Sequence, residues 1–249
     1  MTGQTPAASA AIIHALGAGP KLYVDAKIDG RGPYRCLIDT AFSHTAFDPK
    51  IDARSGASHR VNVETLSFAV DHPMTMNLQG AEPGPEIYCI IGAEFFDKYI
   101  VTIDYGRGTI SAFDPTTYRR TAGSTAIALT TSNNRFFVPV SLTVGSHTVT
   151  HWERLDTESE ETIADNFVDD ASIVRESTLN NGHRSGQYDR IEIGPFAIEH
   201  VWGPSSTEHS IGTEILRRFV VTIDVPHRRL LFEPTARLYD PIPTPPPAW

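Results

Sequence analysis

A fourteen-residue segment occurs twice in the chain. The first copy reads Ile91-Gly-Ala-Glu-Phe-Phe-Asp-Lys-Tyr-Ile-Val-Thr-Ile-Asp104, and the second reads Ile211-Gly-Thr-Glu-Ile-Leu-Arg-Arg-Phe-Val-Val-Thr-Ile-Asp224. The copies lie 120 residues apart and are identical at seven of their fourteen positions. Self-similarity at a fixed offset is typical of a structural unit that is present twice. The 249 residues are therefore interpreted as two related halves.

A second match lies upstream of each copy. Leu37-Ile38-Asp39-Thr40 corresponds to Arg154-Leu155-Asp156-Thr157 at an offset of 117 residues. Each motif follows segments that alternate apolar and polar residues, as residues 22–28 do, which is typical of half-buried strands. Helical spacing of apolar residues is clear only over residues 93–99 and 213–219. We therefore expect an all-β fold of two pseudo-symmetric lobes, each with one short helix, and a cleft between them.

Composition sets the boundaries of these units. Residues 118–126 are polar or small, as in a linker, and residues 241–249 include five prolines, as in an exposed polyproline tail. The predicted organisation is a mobile leader at 1–20, an N-terminal lobe at 21–117, a linker at 118–134, a C-terminal lobe at 135–238 and a proline-rich tail at 239–249.

Charge and hydropathy narrow the range of partners. The formal net charge of −9 disfavours nucleic acid, which requires a basic face, and no apolar stretch reaches the roughly 18 residues of a membrane span. Residues 1–19 lack the basic start of a secretory signal. The sequence as written thus predicts a cytoplasmic protein, or a periplasmic or secreted one if a signal peptide has been removed. Because both lobes are in one chain, a monomer is a reasonable expectation.

The cysteines and histidines give no sign of a metal site. Cys36 and Cys89 are the only cysteines, and both lie in apolar, strand-like segments. Two buried free thiols are favoured over a disulfide, which needs an oxidising compartment and Cα atoms within about 7 Å. His147 and His151 are four residues apart in a strand-like segment, hence separated by about 13 Å. No metal and no cofactor are predicted.

The two Asp-Thr motifs, together with two later glycines, resemble the retropepsin-like and pepsin-like aspartic peptidases. In that superfamily, an apolar-apolar-Asp-Thr-Gly turn is followed at some distance by an apolar-apolar-Gly segment. Here Asp39 precedes Gly92 by 53 residues, and Asp156 precedes Gly212 by 56 residues. The resemblance extends over residues 21–234, which is nearly the whole chain.

The resemblance implies a catalytic pair, Asp39 and Asp156, in the shared cleft. Two close carboxylates share one proton, so that one accepts a proton from water while the other donates a proton toward the carbonyl oxygen of the substrate. Thr40 and Thr157 are implied to cross-link the two aspartate loops through hydroxyl-to-backbone hydrogen bonds.

Both motifs lack the glycine that follows Asp-Thr in the family. Ala41 adds only a methyl group, whereas Glu158 adds a flexible side chain and a charge beside the pair. An unpaired buried charge is costly, so we expect Glu158 to point outward or to bind a cation. The cations considered are Arg135, Arg154 and Arg184.

The next position holds Phe42 in the first half and Ser159 in the second. The Ser159 hydroxyl would hydrogen-bond Asp156, which favours Asp156 as the carboxylate and Asp39 as the acid. A glycine-rich hairpin in the second half is a candidate flap over the cleft, whereas the corresponding residues 54–58 predict a stunted flap in the first half. The candidate flap residues are Gly182, His183, Arg184, Ser185 and Gly186.

Three functions stay open at this point. The first is a peptidase, and the second is an acid–base enzyme that acts on a small molecule, for example by cyclisation or rearrangement. The third is a non-catalytic pseudo-protease that binds a ligand. Ala41 and Glu158 weigh against the peptidase, whereas both aspartates weigh against the third function, because a close like-charge pair is costly. The expected partner is a peptide or a small molecule.

Overall fold

The computed structural model describes residues 11–16, 19–51, 57–80, 84–169, 177–180 and 183–242. The protein is mostly β-sheet, with 51% strand and 7% helix, and two of its sheets are curled. The expected all-β character is confirmed. The two short α-helices are α1 (Ala93–Lys98) and α2 (Thr213–Leu216), and one 3₁₀ turn covers Asn166–Asp169. Within the described ranges, no helix has both the length and the apolar character needed to cross a membrane.

The strands are named in chain order. They are β1 (Ala11–His14), β2 (Tyr23–Ile28), β3 (Arg31–Ile38), β4 (Ala46–Phe47), β5 (His59–Val63), β6 (Leu66–Val70), β7 (Met74–Thr75), β8 (Cys89–Ile91), β9 (Ile100–Asp104), β10 (Thr109–Phe113), β11 (Thr125–Ala128), β12 (Thr130–Ser132), β13 (Arg135–Val144), β14 (His147–Leu155), β15 (Ile163–Ala164), β16 (Ser177–Asn180), β17 (His183–Ile193), β18 (Phe196–Pro204), β19 (Ser210–Ile211), β20 (Phe219–Asp224) and β21 (Arg229–Pro234).

These strands form three sheets. A seven-stranded sheet from the first half has the order β6-β5-β2-β3-β8-β4-β7. An eight-stranded sheet from the second half follows the path β15-β19-β14-β13-β17-β16, with β12 beside β13 and β18 beside β17. A six-stranded sheet, β1-β10-β9-β20-β21-β11, combines strands from both halves. Strands such as β13 alternate buried and half-buried residues, as expected where one face of a sheet covers the core.

The repeated segment lies at the centre of the six-stranded sheet. Its two copies supply β9 and β20, which pair antiparallel. Thr102 lies opposite Thr222, its own counterpart in the repeat, and the two Oγ1 atoms are 2.7 Å apart. Three of the four positions that the two strands share are β-branched (Val, Thr and Ile), as is favoured in a sheet, and the shared Val and Ile side chains are buried in both strands.

Two segments that the sequence assigned to the leader and the linker contain strands. Residues 11–14 of the expected leader form the edge strand β1 beside β10, and residues 125–128 of the expected linker form β11 at the opposite edge, beside β21. Their apolar side chains, Ile13 and Ile127, are buried in the core. Exposing Ile13 and Ile127 to water would cost free energy. Burial of these side chains therefore favours the paired strands over the mobile leader and the linker that were expected.

The two cysteines form a disulfide, so the expectation of free thiols was wrong. Cys36 of β3 and Cys89 of β8 are direct neighbours in a parallel pair, with their Cα atoms 4.5 Å apart. Strand pairing therefore brings together two thiols that are 53 residues apart in the chain. A parallel pair between residues so far apart cannot be located from composition.

Candidate active site

Each aspartate follows a strand that pairs in parallel with the strand before a repeat glycine. Asp39 follows β3, which pairs with β8, and Asp156 follows β14, which pairs with β19. The backbone N–H of Asp39 donates to the carbonyl oxygen of Ile91 at 3.0 Å, and that of Asp156 donates to Ile211 at 3.0 Å. The two loops therefore begin with the same hydrogen bond.

The glycines of the repeat lie directly beneath the aspartate loops. A Cβ atom on Gly92 would lie 2.7 Å from the carbonyl oxygen of Phe42, and one on Gly212 would lie 2.9 Å from that of Ser159. Both oxygens belong to the residue three positions after the aspartate. Only glycine permits this approach of two backbones, which explains why both copies of the repeat have glycine at this position.

Thr40 and Thr157 join the two loops to each other. The Thr40 hydroxyl donates to the carbonyl oxygen of Leu155 at 2.8 Å, and the Thr157 hydroxyl donates to that of Ile38 at 3.2 Å. Each hydroxyl also accepts a hydrogen bond from the backbone N–H of the other threonine, at 3.1 and 3.2 Å. Both threonines are buried. These reciprocal bonds bring the two halves together at the aspartates.

Asp39 is buried in an environment that favours its protonated form. Its Oδ1 atom accepts one hydrogen bond, from the backbone N–H of Ala41 at 2.7 Å. Burial, and next the negative charge of Asp156, raise the pKa of Asp39 to about 7. The mutual repulsion of the two carboxylates contributes to this shift, so they lie within electrostatic range of each other.

Asp156 has more hydrogen-bond donors than Asp39. Its Oδ1 atom accepts from the backbone N–H groups of Ser159 at 2.9 Å and Glu158 at 3.2 Å. Its Oδ2 atom accepts from the guanidinium of Arg154 at 3.1 Å. A carboxylate with two amide donors and a cation is stabilised in its ionised form. The expected donor, the Ser159 hydroxyl, accepts from the Glu161 N–H instead.

Glu158 has a cationic partner, but none of the three arginines suggested by the sequence fills this role. Its Oε1 atom forms an ion pair with Lys21 Nζ, from the segment before β2. Arg154 binds Asp156 and, at 2.6 Å, Glu208. Lys21 comes from the other half of the chain, so sequence proximity could not identify it. The ion pair of Lys21 and Glu158 joins the two halves of the chain close to Asp156.

Tyr105 is a candidate site residue that was not predicted from the sequence. Its hydroxyl is buried and has no hydrogen-bond partner among the described residues. Burial and the negative charges of Asp156 and Asp39 raise the pKa of this hydroxyl, which keeps it a neutral donor close to both aspartates. Tyr105 directly follows the repeat, where the second copy has Val225. That departure from the repeat is the signal that could have identified it.

The candidate flap is a hairpin, although part of it lies outside the described residues. Strands β16 and β17 pair antiparallel, with Ser185 opposite Thr178, whereas the turn that includes Gly182 is not described. In the described part, the Arg184 side chain contacts the carbonyl oxygen of Asp169 at 3.5 Å. The shorter segment of the first half, at residues 54–58, also lies mostly outside the described residues. The Phe42 side chain packs in an apolar cluster with Leu37.

A second cluster of polar side chains includes two residues of β14, the strand that precedes Asp156. It consists of His151, Glu153, Asp165 and His209, whose nearest ligand atoms all lie within 4.8 Å of one another. Burial and the negative charge of Asp165 raise the pKa of Glu153 to about 9. These residue types could hold a metal ion. Local histidine spacing in the sequence does not indicate this cluster, because its residues come from three separate segments.

A scan against models of known protein families and a search of curated proteins give no match to this chain.

Proposed function

We propose that the protein is an aspartic-peptidase-like hydrolase, in which two pseudo-symmetric lobes each contribute one aspartate. The observation that carries this proposal is the reciprocal bonding of Thr40 and Thr157, which holds Asp39 and Asp156 in matching loops. A buried like-charge pair is costly to maintain, and general acid–base catalysis uses such a pair directly. The pKa of Asp39, at about 7, suits an acid that works near neutral pH.

The proposed reaction is the hydrolysis of a peptide bond. The Asp156 carboxylate removes a proton from a water molecule, whose oxygen attacks the carbonyl carbon, while protonated Asp39 donates its proton to the carbonyl oxygen. The tetrahedral diol then returns a hydroxyl proton to Asp39 as Asp156 protonates the leaving nitrogen and the C–N bond breaks. Both carboxyl groups end in their starting states, so no further reactant is needed.

The surroundings of Asp156 favour this division of roles. Arg154 and two backbone N–H groups stabilise the carboxylate that must act as the base. Asp39 has a single backbone donor and is the member that holds the shared proton. We expect activity near neutral pH, because Asp39 loses its proton above about pH 7.

A second candidate is acid–base catalysis on a small molecule. Glu158 stands where the family has glycine, and its ion pair with Lys21 adds bulk and two charged groups beside Asp156. This narrows the space that an extended peptide backbone would occupy. The same two aspartates would then act on a smaller substrate.

The test is a cleavage assay of the purified chain on a mixed peptide library between pH 4 and pH 9, with pepstatin as a binding probe. Substitution of either aspartate, Asp39→Asn or Asp156→Asn, should lower the rate by roughly 100- to 10,000-fold without loss of the fold. Asp25→Asn is the matched control, because Asp25 is exposed on β2. It should leave the rate unchanged.

The outcomes separate the candidates. Peptide cleavage that survives both substitutions would place the chemistry elsewhere and overturn the proposal. If the wild type neither cleaves peptides nor binds pepstatin but Glu158→Gly does both, the small-molecule candidate is favoured. Circular dichroism of each variant should match that of the wild type, so that loss of rate is not loss of structure.

A further inference from the structure

Strand register brings three potential metal ligands side by side in the second half. Ser210 of β19 has a registered neighbour on each side, one in β14 and one in β15. The residues next to this registered row are His209, which precedes β19, Glu153 of β14, and Asp165, which follows β15. Neighbouring residues on adjacent strands point to the same face of a sheet. His151 is two residues before Glu153 on β14 and therefore lies on that face as well.

The first half has a covalent cross-link at the corresponding place. In the β3–β8 pair, the disulfide Cys36–Cys89 lies two residues before the last registered pair. In the β14–β19 pair, the residues two positions before the last registered pair are Glu153 and His209. In the first half, a disulfide thus links β3, which precedes Asp39, to β8, which precedes Gly92. At the corresponding position in the second half, β14 and the residue before β19 supply two potential metal ligands.

Glu153 is the observation that points to a missing partner. None of its surface is exposed, and neither Oε1 nor Oε2 has a hydrogen-bond donor among the described residues. Its charged neighbour in the cluster, Asp165, is also fully buried and is itself an acceptor. Asp165 Oδ1 accepts from the Phe167 N–H at 2.6 Å, whereas Glu153 has no donor in the described part of the chain, so a buried carboxyl in this position beside Asp165 requires a cation or a proton.

The hydrogen bonds of His209 and His151 are compatible with ligation. His209 Nε2 lies 3.1 Å from Asn166 Oδ1, an acceptor, so Nε2 carries the hydrogen and a neutral ring offers its Nδ1 lone pair. That Nδ1 atom lies 3.1 Å from Asp165 Oδ2, and His151 Nδ1 lies 2.7 Å from the same oxygen. Two nitrogens thus converge on one carboxylate oxygen. A bound cation would take the place of the protons that these contacts otherwise need.

We propose that His151, Glu153, Asp165 and His209 bind one divalent transition-metal ion, Zn²⁺ in the first instance. Two imidazoles and two carboxylates complete the four-ligand tetrahedral shell that zinc adopts in structural sites. The ion would link β14 and β19 beside the Asp156 loop, as the disulfide links β3 and β8 beside the Asp39 loop. The two imidazoles are partly exposed, at 30% and 27% of their side chains, which gives the ion a route from solvent.

The test uses the full chain, stripped with EDTA, dialysed and titrated with ZnCl₂ by calorimetry. We expect one Zn²⁺ per chain, release of protons on binding, and a higher Tm with zinc than without it. Glu153→Gln and His209→Gln should each weaken binding by at least about 100-fold. His147→Gln is the matched control, because His147 is an exposed histidine on the same strand. It should bind zinc as the wild type does.

Each outcome decides for or against the site. Absence of stoichiometric Zn²⁺ binding by the wild type would overturn the proposal and assign the charge balance to protons. Equal affinity in wild type and both ligand variants would also overturn it. If a variant does not fold, the visible spectrum of the wild type with Co²⁺ decides instead, since tetrahedral coordination gives a strong absorption that a surface-bound ion lacks. None of these readouts depends on hydrolysis of any substrate.

Discussion

The two aspartates share a motif but differ in the groups around them. Asp39 accepts one backbone hydrogen bond, whereas Asp156 accepts two and also binds Arg154. Burial, and next the negative charge of Asp156, raise the pKa of Asp39. The pair is therefore asymmetric, with Asp39 as the carboxyl group that favours the proton.

We predict that Arg154→Gln moves the alkaline limb of the pH–rate profile to higher pH. The positive charge of Arg154 lowers the pKa of Asp39, so its loss raises the pH at which Asp39 gives up its proton. Glu158→Gln should move the limb the other way, because the negative charge of Glu158 raises that pKa. The measurement is kcat/KM against pH, which reports groups in the free enzyme.

Arg107→Gln is the control for this pair of variants. Arg107 is 82% exposed, forms an ion pair with Asp104, and is not among the charges that shift the pKa of Asp39. Its removal should leave both limbs of the profile in place. If Arg154→Gln and Glu158→Gln shift the alkaline limb in the same direction, Asp39 is not the group that sets it.

At the residue scale, the prediction of the two aspartates rests on the repeat. The matching positions of Asp39 and Asp156 could be read from two copies of one motif, and the structure brings both into one site. Lys21 has no such signal, because only folding brings it near Glu158. Tyr105 could be noticed only as a departure from the repeat, and the sequence suggested Arg154 as a partner of Glu158 rather than of Asp156.

The element that defines the site is the aspartate loop with the glycine beneath it. In both halves, a backbone carbonyl oxygen of the loop lies within 3 Å of the position that a Cβ atom on the glycine would occupy. The α-helices α1 and α2 begin immediately after these glycines. The loop, the glycine and the helix therefore form one packed unit, and its tolerance for an added atom is small.

We predict that Gly212→Ala lowers the free energy of unfolding by about 2–4 kcal/mol. The added Cβ atom would lie 2.9 Å from the carbonyl oxygen of Ser159 and would displace the loop that holds Asp156. Gly106→Ala is the control, because a Cβ atom there meets only the Asp104 side chain, at 3.3 Å. Urea denaturation measures both; equal stability of the two variants would contradict the packing argument.

Among the secondary-structure elements, those that a local pattern of apolar residues determines could be predicted from the sequence. Both helices start where the apolar spacing indicated, although α2 ends at Leu216 because the next residues lead directly into β20. The strands β1 and β11 were missed, since each is stabilised by a partner strand far away in the chain. Their short apolar segments have no pattern that distinguishes an edge strand from a linker.

The whole molecule is joined by a sheet to which both halves contribute. β9 and β20 pair at its centre, so separation of the halves would expose the buried faces of both repeat copies. The carboxyl groups of Asp39 and Glu153 are buried in the same structure, and burial raises the pKa of each. Groups of this kind make global stability depend on pH, because the folded chain binds protons that the unfolded chain releases.

We predict that Asp39→Asn increases the free energy of unfolding at pH 8 and flattens its pH dependence. The pKa of Asp39 is about 7 in the folded protein and has an ordinary value of 3.8, so between these values the folded state holds the extra proton. Its contribution is fully present below about pH 4 and is lost as pH rises through 7, a difference on the order of a few kcal/mol. Asparagine at this position does not ionise, so the variant does not lose this stability as the pH rises. Urea denaturation of wild type, Asp39→Asn and the exposed control Asp25→Asn at pH 5 and pH 8 measures it. Parallel pH dependence in wild type and Asp39→Asn would show that Asp39 is ionised without penalty in the folded protein.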